Sequence, residues 1–226
     1  INKVREMDLS NRPWENGWSA PQAESDPMES HPYLFSRYRR GQAPSVRGPM
    51  ADFFVNIQVP GNSAQTNFPR KDKSRYPNPI IINEYGWLWL NRDGTSTTLT
   101  DKVYEVAFGA NLTKDERIYL YTRHLGMLTE YWRANRFCAG VLHFCGLGYS
   151  RSAEPRGQTS DNFIDIKNLI YEPQFVKYVK PAFAPVGLMI DFWDKNLQQG
   201  RSGITIGIEV YVINDLEIPW SGPLTL

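Results

Sequence analysis

Long apolar runs are absent. Nothing in the 226 residues approaches the roughly 20 consecutive apolar positions of a bilayer-spanning helix, and residues 1–20 are too polar for a secretory leader. No membrane partner is expected. Net charge is equally scarce, since 25 Lys and Arg stand against 24 Asp and Glu. The basic residues are scattered apart from short groups such as Arg37-Tyr38-Arg39-Arg40, so the electrostatic footprint of a nucleic-acid binder is missing. Cysteine is limited to Cys138 and Cys145, an odd number of positions apart on one strand-like segment. Alternation would point the two side chains to opposite faces, so free thiols are expected and the compartment stays open. Of three histidines, none forms a His-x-His or His-Glu-x-x-His pair, the spacings that most economically hold a metal.

What is present can build a core, because 41% of the residues are hydrophobic and 13% aromatic. Two patterns divide the chain. Up to about residue 155, short apolar strand-like segments alternate with long polar loops and one clear helix. That helix starts at the capping box Thr113-Lys114-Asp115-Glu116, which also accounts for the sequon-like Asn111-Leu112-Thr113 without glycosylation. Ile118, Tyr121, Leu125, Leu128 and Trp132 then recur every three or four residues until Arg133-Ala134-Asn135-Arg136, so a helix over 113–135 should lay one face on a sheet. Between strands at 79–84 and 137–144 it makes a β-α-β crossover. Residues 156–180 read as a packed connector holding Phe163, Ile164, Ile166, Leu169 and Ile170. From 181 to 226 the period changes to two, with Val186, Leu188, Ile190 and Phe192 alternating and then Ile204, Ile206, Ile208, Val210 and Val212, as in an antiparallel sandwich.

Parallel α/β units place functional groups where their strands end, because loops converge there. The segment PIIINEYGW, Pro79 to Trp87, carries three β-branched residues into Asn83, Glu84 and Tyr85. Glu84 could simply cap its strand in solvent or pair with an arginine. Its neighbours argue for more, since Trp87, Trp89, Trp14, Trp18 and Tyr33 supply aromatic faces on which sugar rings stack while a carboxylate takes their hydroxyls.

These residues carry a resemblance. PIIINEYGW resembles the seventh-strand motif of retaining β-glycosidases with a (β/α)8 barrel, most closely glycoside hydrolase family 2. Asp8-Leu9-Ser10-Asn11-Arg12-Pro13-Trp14 is similar to that family's fifth strand, Ser30-His31-Pro32-Tyr33 to the end of its sixth, and Ala139-Gly140-Val141-Leu142-His143-Phe144 to its eighth. The strands ending in Val212-Ile213-Asn214-Asp215 resemble the immunoglobulin-like domain that follows the barrel. The resemblance implies an α/β fold, the C-terminal half of a TIM barrel (residues 1–155) followed by an antiparallel β-sandwich module, partial and immunoglobulin-like (181–226). It implies β-glycoside hydrolysis with Glu84 as nucleophile and no cofactor or metal. The partner would be an oligo- or polysaccharide contacted by Tyr33, His31, Trp14, Trp18, Trp87 and His143, in a secreted or periplasmic setting. Tyr33 would donate a hydrogen bond to Glu84. Where the family places a tryptophan in strand eight, this chain has His143 and Phe144.

A retaining glycosidase needs a second carboxyl group about 5–5.5 Å from the first. By resemblance that acid/base precedes residue 1, so the chain is expected to be part of a longer enzyme whose barrel half has open edges. Asp26 and Glu29, near the end of strand six, could intrude as acid/base but read rather as solvated loop acids, Asn83 reads as support for the strand end, and Tyr33 and His31 as structural residues if not sugar contacts. The long segment from Phe35 to Tyr76 is expected to wall the site with Phe53-Phe54-Val55 turned inward. Two other classes stay open. His31, Glu84 and His143 near strand ends would suit a metal-dependent barrel hydrolase. The aromatic mouth without an acid/base would suit a carbohydrate-binding protein.

Overall fold

The computed structural model describes residues 2–15, 21–30, 78–86, 88–136, 138–148, 157, 159, 162–191 and 207–225. Three short parallel strands, β1 (Met28–Ser30), β2 (Ile80–Ile82) and β3 (Gly140–Val141), lie side by side in that order. Met28 pairs with Ile80, and Ile81 with Gly140. A small helix α1 (Asn2–Met7) precedes β1, and α2 (Asp101–Phe108) and α3 (Lys114–Asn135) follow β2, so that α3 makes the crossover from β2 to β3.

Helix α3 forms for local reasons. Thr113 Oγ1 accepts from the Glu116 amide, while the Glu116 carboxylate accepts from the Thr113 amide at 2.7 Å, the reciprocal box expected from the sequence. Such a cap is worth about 1 kcal/mol. The stripe Ile118, Tyr121, Leu125, Leu128 and Trp132 is fully buried, and at about 1.5–3 kcal/mol for each large side chain that burial outweighs the cap. Thr122 and Thr129, buried on the same helix, donate to the carbonyls of Ile118 and Leu125, so their hydroxyls bring no unmet donor into the core. Arg136 closes the helix in the left-handed region at φ 55°.

Beyond β3 come β4 (Phe163–Asp165) and β5 (Ile170–Tyr171), helix α4 (Pro173–Ala182), and the antiparallel pair β6 (Val186–Asp191) and β7 (Glu209–Asn214). Glu172 caps α4 by accepting from the Phe175 amide at 2.7 Å, and Pro173 occupies its first turn. Both α4 and the β6–β7 pair pack on α3. The core runs unbroken from Ile82 and Tyr85 through α3 to Val179, Met189 and Ile213. Arg133 locks this arrangement, donating to both carbonyls Ala182 and Ala184 and to the Asp215 carboxylate, which Arg136 also holds. Burial opposes ionisation of Asp215, but the hydrogen bonds from Arg133 and Arg136 prevail and keep it below the usual carboxylate range.

Several expectations meet a different geometry. The strands are shorter than 79–84 and 137–144. Residues 8–14 form no strand: the Asp8 carboxylate accepts from the amides of Ser10 and Arg12 and from the Arg12 guanidinium, tying a turn. Among the described residues the parallel sheet has three strands and does not close, and β6–β7 is a two-stranded sheet with one face on α3 and no second sheet against the other. Cys138 and Cys145 are free thiols.

Gly126 is where α3 and α4 come closest, since a Cβ there would lie 2.7 Å from the Tyr178 carbonyl oxygen. In an open helix Gly→Ala gains up to about 1 kcal/mol. Here the obstacle is backbone, so Gly126→Ala should destabilise by about 1–3 kcal/mol as α4 is forced outward. Thermal unfolding followed by circular dichroism checks this, and a rise in midpoint would show that the close packing is wrong.

Candidate functional site

Glu84 is held from both sides. Ile82, the last residue of β2, is completely buried against α3. Tyr85 is completely buried too, and its hydroxyl lies 2.6 Å from Thr129 Oγ1. Since Thr129 gives its own proton to Leu125, Tyr85 is the donor. Burial raises the Tyr85 pKa, so the phenol stays neutral. Gly86 then turns the chain at φ 84°, a conformation costly for other residues, with Leu125 Cδ1 only 3.1 Å from where a Cβ would sit. This explains the Tyr-Gly that follows the acid. Asn83 and Glu84, between two anchors, are left half-buried at the carboxyl end of the parallel sheet. The Asn83 Oδ1 atom is buried and has no hydrogen-bond partner among the described residues.

The segment after β3 runs alongside. Leu142 donates to the Ile82 carbonyl at 2.7 Å and Phe144 to the Tyr85 carbonyl at 3.4 Å, so pairing continues past the strands on either side of Glu84. Trp89 donates from Nε1 to the Phe144 carbonyl at 2.9 Å and meets the Phe144 ring edge-on. It is a buried core residue, which takes its ring face away from any ligand.

His143 belongs to the same segment, and its contacts run to α4 and Asn162. Its ring lies 5.8 Å from Phe175 and 6.1 Å from Phe183, with Nε2 3.3 Å from Asn162 Nδ2. Burial lowers its pKa. These contacts seat the His143 ring between α4 and Asn162. Trp14 is also placed differently. Its amide donates to Asp26, which lies just before β1, so its backbone is anchored at the amino end of the sheet while Glu84 follows the carboxyl end of β2. Trp18, His31, Tyr33 and Trp87 lie outside the described residues, as does the segment from Phe35 to Tyr76 with Phe53-Phe54-Val55.

The acids near β1 are not solvated. Asp26 is fully buried and gathers the Arg5 guanidinium and the amides of Trp14, Gln22 and Ala23. Arg5, then the backbone donors, hold its pKa well below the ordinary carboxylate value, against the opposing effect of burial. Glu29 is buried within β1. Asn78, just ahead of β2, donates to the carbonyls of Ala23, Glu24 and Asp26 and completes the knot. Sequence reading missed this because each partner is polar and unremarkable alone.

A cavity of about 390 Å³ opens at the amino end of β3, between Trp132, Cys138, Gly140, Phe183 and Pro185. Its charged lining, Arg133, Arg136 and Asp215, is already mutually paired. It lies at the other end of the sheet from Glu84. Among the described residues no three His, Cys, Asp or Glu side chains converge as a metal site, and His31 of the metal-dependent alternative falls outside them. No helix among them is long and apolar enough to cross a membrane. No protein family, curated protein or solved structure matches the chain.

Asp26 receives donors only, so Asp26→Asn would face some of them with an N–H. The variant should unfold at lower urea concentration at neutral pH. Because the folded carboxyl has the lower pKa, its contribution is present above the unfolded value of about 3.9 and is lost as pH falls. The difference from wild type should therefore narrow in acid. A difference that stays constant with pH would remove the charge from the explanation.

Proposed function

We propose that the protein is a retaining β-glycosidase, built on the C-terminal half of a (β/α)8 barrel followed by an immunoglobulin-like module, in which Glu84 attacks the anomeric carbon. The observation that carries this reading is the placement of Glu84: a half-buried carboxylate directly after a parallel strand, between the buried anchors Ile82 and Tyr85. A nucleophile needs a fixed direction of attack, and a side chain whose neighbours are locked into the core provides it at little entropic cost. The motif resemblance supplies the reaction class. Sugar contacts are assigned to Tyr33, His31, Trp18 and Trp87 from the same resemblance. Asp26 is unsuited to the acid/base role, because Arg5 and three amides stabilise it as a carboxylate that cannot give a proton near neutrality.

In the first step a Glu84 carboxylate oxygen would bond to the anomeric carbon as the leaving oxygen departs with its electron pair and takes a proton from a second carboxylic acid. Water would then cleave the glycosyl ester. A 2-deoxy-2-fluoro β-glycosyl fluoride tests the first step in isolation. Fluoride leaves without general-acid help, and the 2-fluoro group slows hydrolysis of the ester, so the nucleophile is labelled without any assigned acid/base. Incubation with the gluco, galacto and manno reagents, followed by peptide mass mapping, should place one adduct on Glu84 and none in Glu84→Gln. Labelling of another carboxylate would overturn the assignment, and sugar binding without label from any reagent would favour the non-catalytic carbohydrate-binding reading.

A further inference from the structure

Asn162 is buried, and its side chain joins three parts of the fold. Oδ1 accepts from the Tyr121 hydroxyl on α3 at 2.8 Å. Nδ2 donates to the Cys145 carbonyl at 3.2 Å and faces His143 Nε2 at 3.3 Å, both on the segment that follows β3. Its backbone carbonyl accepts from the Glu172 amide at 2.9 Å, at the start of α4. The amide nitrogen has only protons to offer, so Nε2 must be the acceptor and the imidazole must be neutral, its proton on Nδ1. Protonation would set a donor against a donor. Turning the amide over would relieve that contact but press Oδ1 against the Cys145 carbonyl oxygen and take the acceptor from Tyr121. A bond is lost in either case.

Among the described residues no carboxylate is hydrogen-bonded to the ring. From α4 it meets the rings of Phe175 and, just beyond the helix, Phe183. The titratable groups reached through these contacts are Tyr121 on α3, Tyr171 on β5, Glu172 at the cap of α4 and Cys145 on the same segment. Tyr121 gives its proton to Asn162, Tyr171 stacks on Phe175, and Glu172 accepts from the Phe175 amide. Burial alone shifts His143, and it favours the neutral form.

We propose that Tyr121, Asn162 and His143 form a pH-sensitive latch in which neutral His143 holds residues 142–148 against α3 and the start of α4, and protonation of its ring releases them. The released segment is the one hydrogen-bonded to Ile82 and Tyr85 on either side of Glu84, and it carries the carbonyl that Trp89 holds. Acidification is thereby coupled to the order of the sheet's carboxyl end. The direction follows from the lowered pKa. The contribution of the latch is fully present above the unfolded histidine value of about 6.5 and is lost as pH falls toward and through the folded value. Acid should loosen the segment; alkali should not. The latch does not depend on the chemistry assigned to Glu84.

Amide hydrogen exchange of the full chain, corrected for the intrinsic pH dependence of exchange, reads this directly. Between about pH 7.5 and about pH 5, peptides covering 142–148 should lose protection by about tenfold or more, while the middle of α3 keeps its own. His143→Gln retains an acceptor that does not titrate, and in it the protection of 142–148 should become independent of pH. Asn162→Leu should leave the segment unprotected already at neutral pH. Protection of 142–148 that is flat with pH in the wild type, or a pH dependence that persists unchanged in His143→Gln, overturns the latch whether or not Asn162→Leu folds.

Discussion

The chain after β2 and the C-terminal elements of the described fold lean on the burial of α3. One flank of this helix receives Ile82 and Tyr85 from the parallel sheet, another receives α4 at the bare backbone of Gly126, and the β6–β7 pair closes on it through Met189 and Ile213. Its last turn supplies Arg133, whose guanidinium satisfies the carbonyls of Ala182, the last residue of α4, and Ala184 just after it, and the Asp215 carboxylate beyond β7. A buried arginine is tolerated only when its donors are taken, and here the groups that take them come from the segments that must be brought together. The cost of burying the charge is thereby coupled to assembly of the C-terminal elements.

The same helix explains why Glu84 is a credible reactive group. The acid owes its position to residues on either side of it that face α3 and are wholly buried. Tyr85 reaches Thr129 with its hydroxyl and Gly86 clears Leu125, so the backbone carrying the carboxylate is fixed by the packing of its neighbours. Rigidity and partial exposure are difficult to combine in one residue. Distributing them over neighbours with opposite burial is the solution seen here.

What could be read from the sequence was what short-range physics decides. The α3 cap and stripe depend on residues within a turn or two, so the boundaries at Thr113 and Arg136 were legible. Helix α4 carried comparable signals, an N-cap Glu172 followed by Pro173, yet most of its residues fall within the stretch that reads as a packed connector. The strands were overestimated because a run of β-branched residues does not reveal where the chain turns into a helix face, as it does at Tyr85 and Gly86. Asp26 was misread for a related reason. Its burial is produced by Arg5 and by amides whose approach depends on the folded backbone, and no local pattern marks that convergence. Asn162 was invisible for the same cause, since its partners come from α3, the segment after β3 and the start of α4.

The Asn78 knot has a topological consequence. By donating to three carbonyls just ahead of β1, and with Met28 paired to Ile80, it holds the start of β1 against the start of β2. The register of β1 on β2 is therefore set twice, by the strand hydrogen bonds and by side-chain donation from Asn78, so slipping one strand along the other would have to break both.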